Sequence, residues 1–189
     1  MSKRWRIGAV SYLNTRPFLL GIEQSGLIEQ IDLVKAYPSQ LAQSLIDDTI
    51  DIGLVPVAII PLLKEPYFIS DYCIGAEQEV ASVAIFSDVP MDQIEKVYLD
   101  HQSRTSVQLA RLMMKLYWEK EVEWIEADPD YIEKIGGTTA GVIIGDRALA
   151  AQNRFAYMYD LATAWKKYTG LPFVFATWVS NKPIPRSEE

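Results

Sequence analysis

Arg6-Ile7-Gly8-Ala9-Val10-Ser11-Tyr12-Leu13-Asn14-Thr15-Arg16-Pro17 decides how the chain is read. Arg6 to Val10 is a short apolar run and reads as a strand. Ser11 to Arg16 is polar. Pro17 then suits the first position of a helix running to Gln24, with Thr15 or Arg16 near its cap. The pattern recurs downstream. Ile31 to Tyr37 reads as a second strand, Pro38 breaks the run, and Ser39 serves as the cap of a helix over Leu41, Leu45 and Ile46. Asp51 to Val55 reads as a third strand, followed by Pro56 and a short apolar helix over Val57 to Leu63. Strands alternating with helices imply an α/β fold with a parallel sheet covered on its faces.

The second half repeats this logic. Val80 to Ser87, Lys96 to Asp100, Val122 to Glu126, Gly141 to Gly145, Phe155 to Tyr159 and Phe173 to Val179 read as strands. Ser103 or Thr105 begins a helix with Val107, Leu109, Leu112, Met113 and Leu116 at helical spacing. Pro129 to Ile135 reads as a short helix, Asp146 caps another through Gln152, and Leu161 to Tyr168 is a helix ended by Gly170. The polar stretch Gly75 to Glu79 reads as a crossover. The expected organisation is therefore lobe 1 over residues 1–79, lobe 2 over 80–179 and a polar tail over 180–189.

Composition narrows the function. Eighteen Lys and Arg against 25 Asp and Glu leave 189 residues with a net charge of −7. Without a basic run, such a chain is poorly suited to nucleic acid or to a membrane surface. One cysteine, Cys73, and one histidine, His101, rule out an internal disulfide and a Cys- or His-rich metal cluster. The apolar run Leu54 to Leu63 is cut by Pro56 and Pro61 and is too short to span a bilayer. The basic start Ser2 to Gly8 lacks the apolar region of a signal peptide, so a reducing, cytoplasmic setting is expected.

In open α/β sheets, ligands bind at the C-terminal ends of strands. Ser11, Asn14, Thr15 and Arg16 place hydroxyls, an amide and a guanidinium directly before a helix start, which suits an anion. Capping and turn chemistry is the alternative there. Asp100-His101-Gln102-Ser103-Arg104-Thr105-Ser106 has the same design; one cap needs one hydroxyl, and three are present. Gly145-Asp146 is a further strand exit. Ser82 lies near the start of the apolar strand Val83 to Phe86, where an edge or bulge residue is the simpler reading. His101 with Asp100 and Ser103 suggests a triad, but no nucleophile-elbow pattern surrounds these serines and a solvated loop histidine fits better. Cys73 sits in an apolar run and reads as buried. Trp178 sits near the end of the last strand, within reach of a cleft. Gly136 to Gly141 lacks the lysine of a phosphate loop and reads as a turn.

Taken in order, several blocks resemble the chorismate dehydratases of the futalosine route to menaquinone. They are Ser11-Tyr12-Leu13-Asn14 with Pro17, Tyr37-Pro38-Ser39 with Leu41-Ala42, and Asp51-Ile52-Gly53-Leu54-Val55-Pro56. Ser82-Val83 with Phe86-Ser87 and Ser103-Arg104-Thr105-Ser106 follow, then Ile144-Gly145-Asp146, Tyr159-Asp160-Leu161 and Thr169 to Ala176. The resemblance covers nearly the whole chain. It implies a fold similar to type 2 periplasmic-binding proteins: two α/β lobes with a ligand cleft between them. It also implies further helices after the Pro172-to-Trp178 block that pack back onto the first lobe. Here that block is followed by the polar segment Ser180 to Glu189, so those helices are expected to be missing.

The implied activity is loss of water from chorismate to give 3-[(1-carboxyvinyl)oxy]benzoate, with no cofactor and no metal. The resemblance assigns catalytic roles to Asn14 and Ser82. It points to substrate binding by Ser11, Ser39, Ser103, Thr105, Ser106, Gly145 and Asp146; Arg16, next to the first block, is a further candidate to pair with a carboxylate, with a surface salt bridge as the alternative. The partner is then the small molecule chorismate, with no nucleic acid and no membrane, and a homodimer stays open. A cytoplasmic small-anion binder and the sister lyase that forms 1,4-dihydroxy-6-naphthoate are the alternatives.

Overall fold

The computed structural model describes residues 4–184. Ten strands are present among them: β1 Trp5–Val10, β2 Ile31–Ala36, β3 Ile52–Pro56, β4 Tyr67–Ala76, β5 Val83–Ser87, β6 Lys96–Leu99, β7 Glu123–Glu126, β8 Thr139–Ile144, β9 Tyr157–Asp160 and β10 Phe173–Ser180. Five α-helices accompany them: α1 Arg16–Gln24, α2 Pro38–Ile46, α3 Thr105–Leu116, α4 Asp146–Ala151 and α5 Leu161–Thr169. The chain forms two compact units, one of residues 1–74 with 174–189 and one of residues 75–173.

Unit 1 is built on a sheet of order β2-β1-β3-β10-β4. β1 pairs parallel with β2 and β3, as the alternation of strands and helices requires. β10 runs antiparallel to β3, so the sheet is mixed. This corrects the sequence-based boundary: the last strand, assigned to lobe 2 by chain order, hydrogen-bonds into the sheet of unit 1. β4 is also new. Its edge position leaves Phe68 and Tyr72 exposed, so its apolar residues give no clean alternation. Cys73 lies in β4 and is exposed, not buried as its neighbours suggested.

Two helices cover the sheet. On one face α1 places Leu19 against Ala9, Leu54, Ala176 and Trp178. Phe18 meets the Trp178 ring edge to face at 5.8 Å, so Trp178 is part of this core and not a site residue. On the other face α2 buries Leu41 and Leu45 completely. Gly8 permits this close approach. A Cβ there would stand 2.8 Å from Leu41 Cδ2 and 2.7 Å from Ile50 Cδ1. Ser39 is not the cap of α2. Pro38 is already helical, and Tyr37 occupies the cap position, with its N–H donating to Gln40 Oε1.

At the opposite end of the unit 1 sheet, Asp51 is sealed from solvent. The Arg6 backbone N–H and Nε donate to Asp51 Oδ2 at 3.0 and 3.1 Å, and Lys182 Nζ donates to Oδ1 at 2.7 Å. Asn181 Oδ1 accepts from the Lys64 N–H at 3.1 Å. Residues 181 and 182 are therefore stitched to unit 1; residues 185–189 of the expected polar tail lie outside the described residues.

Unit 2 carries a sheet of order β7-β6-β8-β5-β9, also mixed. β6 is parallel to β7 and β8, whereas β5 is antiparallel to β8 and β9. α3 buries Val107, Leu109, Ala110, Met113 and Met114. Leu112 and Leu116, read from spacing as core, are partly exposed, because the buried face is rotated toward Ala110 and Met114. The core of unit 2 holds Phe86, Tyr131, Ile135 and Ile143.

One carboxylate ties this unit together. Asp100, directly after β6, has a fully buried side chain. Arg147 Nη2 donates to its oxygens at 2.8 and 2.7 Å, and the Ile144 N–H donates to Oδ2 at 3.2 Å. The Tyr131 hydroxyl lies 2.9 Å from Oδ2 and 2.7 Å from the Val142 carbonyl, sharing its proton between them. The Gln102 N–H donates to Oδ1 at 2.9 Å. No Ser-His-Asp triad forms: the Asp100 oxygens are committed to these donors, and exposed His101 stands edge-on to the Tyr131 ring.

Asp100→Ala strips the counter-charge from Arg147 and is expected to cost about 3–5 kcal/mol in urea denaturation. Tyr131→Phe removes one acceptor's donor and is expected to cost about 1–3 kcal/mol. At Asp51, burial alone would push the carboxyl up, but hydrogen bonds from Arg6 and Lys182 outweigh it and hold it well below the ordinary value of 3.8. A folded value lower than the unfolded one gives stabilisation that is complete above about pH 4 and fades as the pH falls below it. Asp51→Asn should therefore flatten the acid limb of stability. Its cost at neutral pH should be about 1–3 kcal/mol, reduced because Arg6 and Lys182 are 42% and 39% exposed.

Candidate functional site

In unit 2, three strands end and one begins at a single sheet edge. Parallel β6 and β8 exit at Asp100 and Gly145. β9 exits at Asp160, opposite Ala84, and β5 enters just after Ser82. The edge therefore gathers Ser82, Ser103, Thr105, Ser106, Gly145 and Asp146 from segments scattered over the sequence.

The turn from β6 into α3 is set locally. The Asp100 carbonyl accepts from the Ser103 N–H at 3.1 Å. Ser103 Oγ accepts from the Ser106 N–H at 3.0 Å, so Ser103 satisfies one of the orphan donors of the helix start. Thr105 and Ser106 are the first two residues of α3, and all three hydroxyl residues are buried. Arg104 stands at the cap position of α3 and is exposed. The start of this 12-residue helix favours negative charge by about 0.3–1 kcal/mol, and up to about 2 when partly buried.

Gly145 is buried, with φ 64 and ψ −146, a region open essentially to glycine alone. Its N–H donates to the Ser82 carbonyl at 2.8 Å, joining the β8 exit to the β5 entry. Gly145, not Asp146, occupies the cap position of α4; Asp146 is the first helical residue and is exposed. Ser82 is half-buried.

Unit 1 forms its own edge. Ser11 follows β1 directly and is exposed; its N–H donates to the Ala36 carbonyl at 3.2 Å. The rings of Tyr12 and Tyr37 sit 6.3 Å apart, bringing the exits of β1 and β2 together. Asn14 is exposed in a one-turn helix, Leu13–Thr15, where its Oδ1 accepts from Thr15 Oγ1 at 3.3 Å. Arg16 is the exposed first residue of α1, and Ser39 is half-buried in the first turn of α2. Ser11, Tyr12 and Arg16 also line an open pocket of about 590 Å³ that runs along α1 to Glu23 and Lys35. Arg16 and Lys35 make it attractive to an anion, although Lys35 already pairs with Glu23 at 3.2 Å.

Sequence reading missed Arg147 and Tyr131. The signal was indirect: an aspartate at the exit of a buried strand demands a counter-charge. Only the fold shows that the charge arrives 47 residues later. Among the described residues, no group of three or more His, Cys, Asp or Glu side chains is placed to hold a metal ion, and no helix is long and apolar enough to cross a membrane.

Comparison with known proteins agrees with this architecture. A chorismate dehydratase from Thermus thermophilus is 26% identical over 203 residues, covering 90% of this chain and 72% of that protein. Protein AF1704 from Archaeoglobus fulgidus superposes with a TM-score of 0.73 at 14% identity, over 97% of this chain and 70% of that one. The alkanesulfonate-binding protein SsuA from Xanthomonas axonopodis pv. citri, bound to MOPS, superposes at 0.57 with 16% identity, over 95% and 65%. The fold is thus periplasmic-binding-protein-like. The sequence model for menaquinone biosynthesis matches residues 5–189, and the chain belongs to that family.

Proposed function

We propose that this protein is a chorismate dehydratase, a carbon–oxygen lyase acting in the first step of the futalosine route, in the cytoplasm. The observation that carries the reading is the similarity to a chorismate dehydratase across 90% of the chain. The chemistry of the two sheet edges is compatible with it.

Chorismate is a dianion with an enolpyruvyl ether and a ring hydroxyl. Loss of that hydroxyl and of one ring proton as water aromatises the ring and gives 3-[(1-carboxyvinyl)oxy]benzoate. Aromatisation drives the reaction, so the protein must chiefly hold one conformer and deny the competing rearrangement and pyruvate loss. Ser103, Thr105 and Ser106, at the start of α3, hold a substrate carboxylate with Gly145 and Asp146 beside them. Ser11, Arg16 and Ser39 supply donors at the unit 1 edge. Asn14 at the unit 1 edge and Ser82 at the unit 2 edge are the proposed catalytic residues. None of these hydroxyls and amides is a general base near neutral pH. The substrate's own enolpyruvyl carboxylate takes the ring proton. With a net charge of −7, binding relies on these local donors and not on long-range attraction.

A second reading is a non-catalytic small-anion binder, favoured by the likeness to a sulfonate-binding protein. Incubation with chorismate, followed by chromatography and mass, separates the two. An aromatic product lighter by one water establishes the lyase; bound, unreacted chorismate establishes the binder. Asn14→Ala and Ser82→Ala are expected to lose turnover by about 10²-fold or more with the fold intact. Wild-type turnover in either variant removes that residue from the mechanism. A steep pH–rate limb abolished by Asp146→Asn would replace the substrate carboxylate as the base. Ser103→Ala is expected to cost about 1 kcal/mol of stability through the lost cap, and also to raise KM.

A further inference from the structure

The three residues before β5 form an unusual turn. The Ser82 N–H donates to the Val80 carbonyl at 2.6 Å, closing a three-residue turn whose central residue, Ala81, has φ 55. A turn of this kind is rare and strained for a residue with a Cβ. It persists only where its surroundings over-determine it. Here those surroundings are one side chain 79 residues away. Asp160 Oδ2 accepts from both the Val80 and Ala81 N–H groups, at 3.1 and 2.9 Å. Its other oxygen caps α5, accepting from the Thr163 N–H at 2.7 Å. The far side of the turn is fixed as well, because the Ser82 carbonyl accepts from Gly145, itself at φ 64. The strained Ala81 turn is thus joined by one hydrogen bond to a glycine at positive φ, and Asp160 holds the turn.

We infer that Asp160 is a positioning residue: it locks the Val80–Ser82 turn so that Ser82 and Gly145 present a preset geometry to the substrate. The inference rests on the proposed dehydratase activity for its kinetic consequence, but not for its structural one. It goes beyond helix capping, which Asp160 also performs. Asp160→Ser separates the roles, since serine caps a helix well but is too short to accept from both turn amides.

The test uses the full chain and follows chorismate turnover, thermal stability and amide hydrogen exchange. Asp160→Ser is expected to lower kcat by about tenfold or more. Exchange should accelerate at Val80 and Ala81 while Thr163 stays protected. Adding Ala81→Gly should restore part of the lost kcat, because glycine adopts a positive φ without the Cβ penalty. Full kcat and KM in Asp160→Ser with freed turn amides would overturn the inference. A loss that Ala81→Gly does not relieve, accompanied by deprotection of Thr163, would reduce Asp160 to a helix cap. If the wild-type chain does not turn over chorismate, the dehydratase reading fails by itself, and exchange at Val80 to Ser82 still decides whether Asp160 locks the turn.

Discussion

A buried aspartate at the end of a central strand holds unit 2 together. Asp100 has no solvent to stabilise its charge, so its environment must supply donors. They come from four places: Arg147 in α4, the Ile144 amide at the end of β8, the Tyr131 hydroxyl, and the Gln102 amide in the turn that follows. A buried ion pair is weak evidence of stability, but its geometry is demanding. Satisfying Asp100 aligns the exits of β6 and β8 and sets where α3 and α4 begin. The sheet edge that carries the hydroxyl cluster therefore depends on a charge that the proposed chemistry does not use directly.

Unit 1 applies a related device at the other end of its sheet. Asp51 is neutralised by Arg6 beside it and by Lys182, which arrives after the last strand. The pair anchors the chain's return. In both units a carboxylate at a strand terminus spends its oxygens on structure. The candidate sites keep hydroxyls, an amide, helix-start N–H groups and, at the unit 1 edge, the exposed Arg16 as donors. That division leaves donors suited to an anion at the candidate sites.

Positive-φ backbone marks the same edge. Gly145 and Ala81 both have positive φ, and both flank the hydrogen bond between Gly145 and Ser82. Elsewhere in unit 2, Gly137, Glu119 and Gly170 share that region of φ. Gly170 ends α5, as a glycine at a helix terminus commonly does. What distinguishes the Ser82 edge is that its strain is held by a side chain distant in sequence.

Much of the fold was legible because it is written in neighbouring residues. The β1 strand, the polar exit from Ser11 to Arg16, the hydroxyls before α3 and the glycine stop of α5 are all short-range features. Apolar runs, caps and breakers act within a few residues, so order along the chain suffices to find them. The candidate site residues were picked out for the same reason, as polar clusters at strand ends, and the fold gathers those of unit 2 at one sheet edge. Pairings between distant segments were not. Chain order placed Phe173 to Ser180 in the second lobe, yet its hydrogen-bonding edge is satisfied by β3 of unit 1. Spacing put Leu112 and Leu116 inside, yet the face of α3 that is buried depends on what packs against it. Asp100 with Arg147, Asp51 with Lys182 and Asp160 with the Ala81 turn join residues 47, 131 and 79 positions apart. Local patterning chose the elements and their polar ends. Only the folded chain chose their partners, because a buried charge or a strand edge is satisfied by whatever the topology brings within about 3 Å, and no short-range signal encodes that.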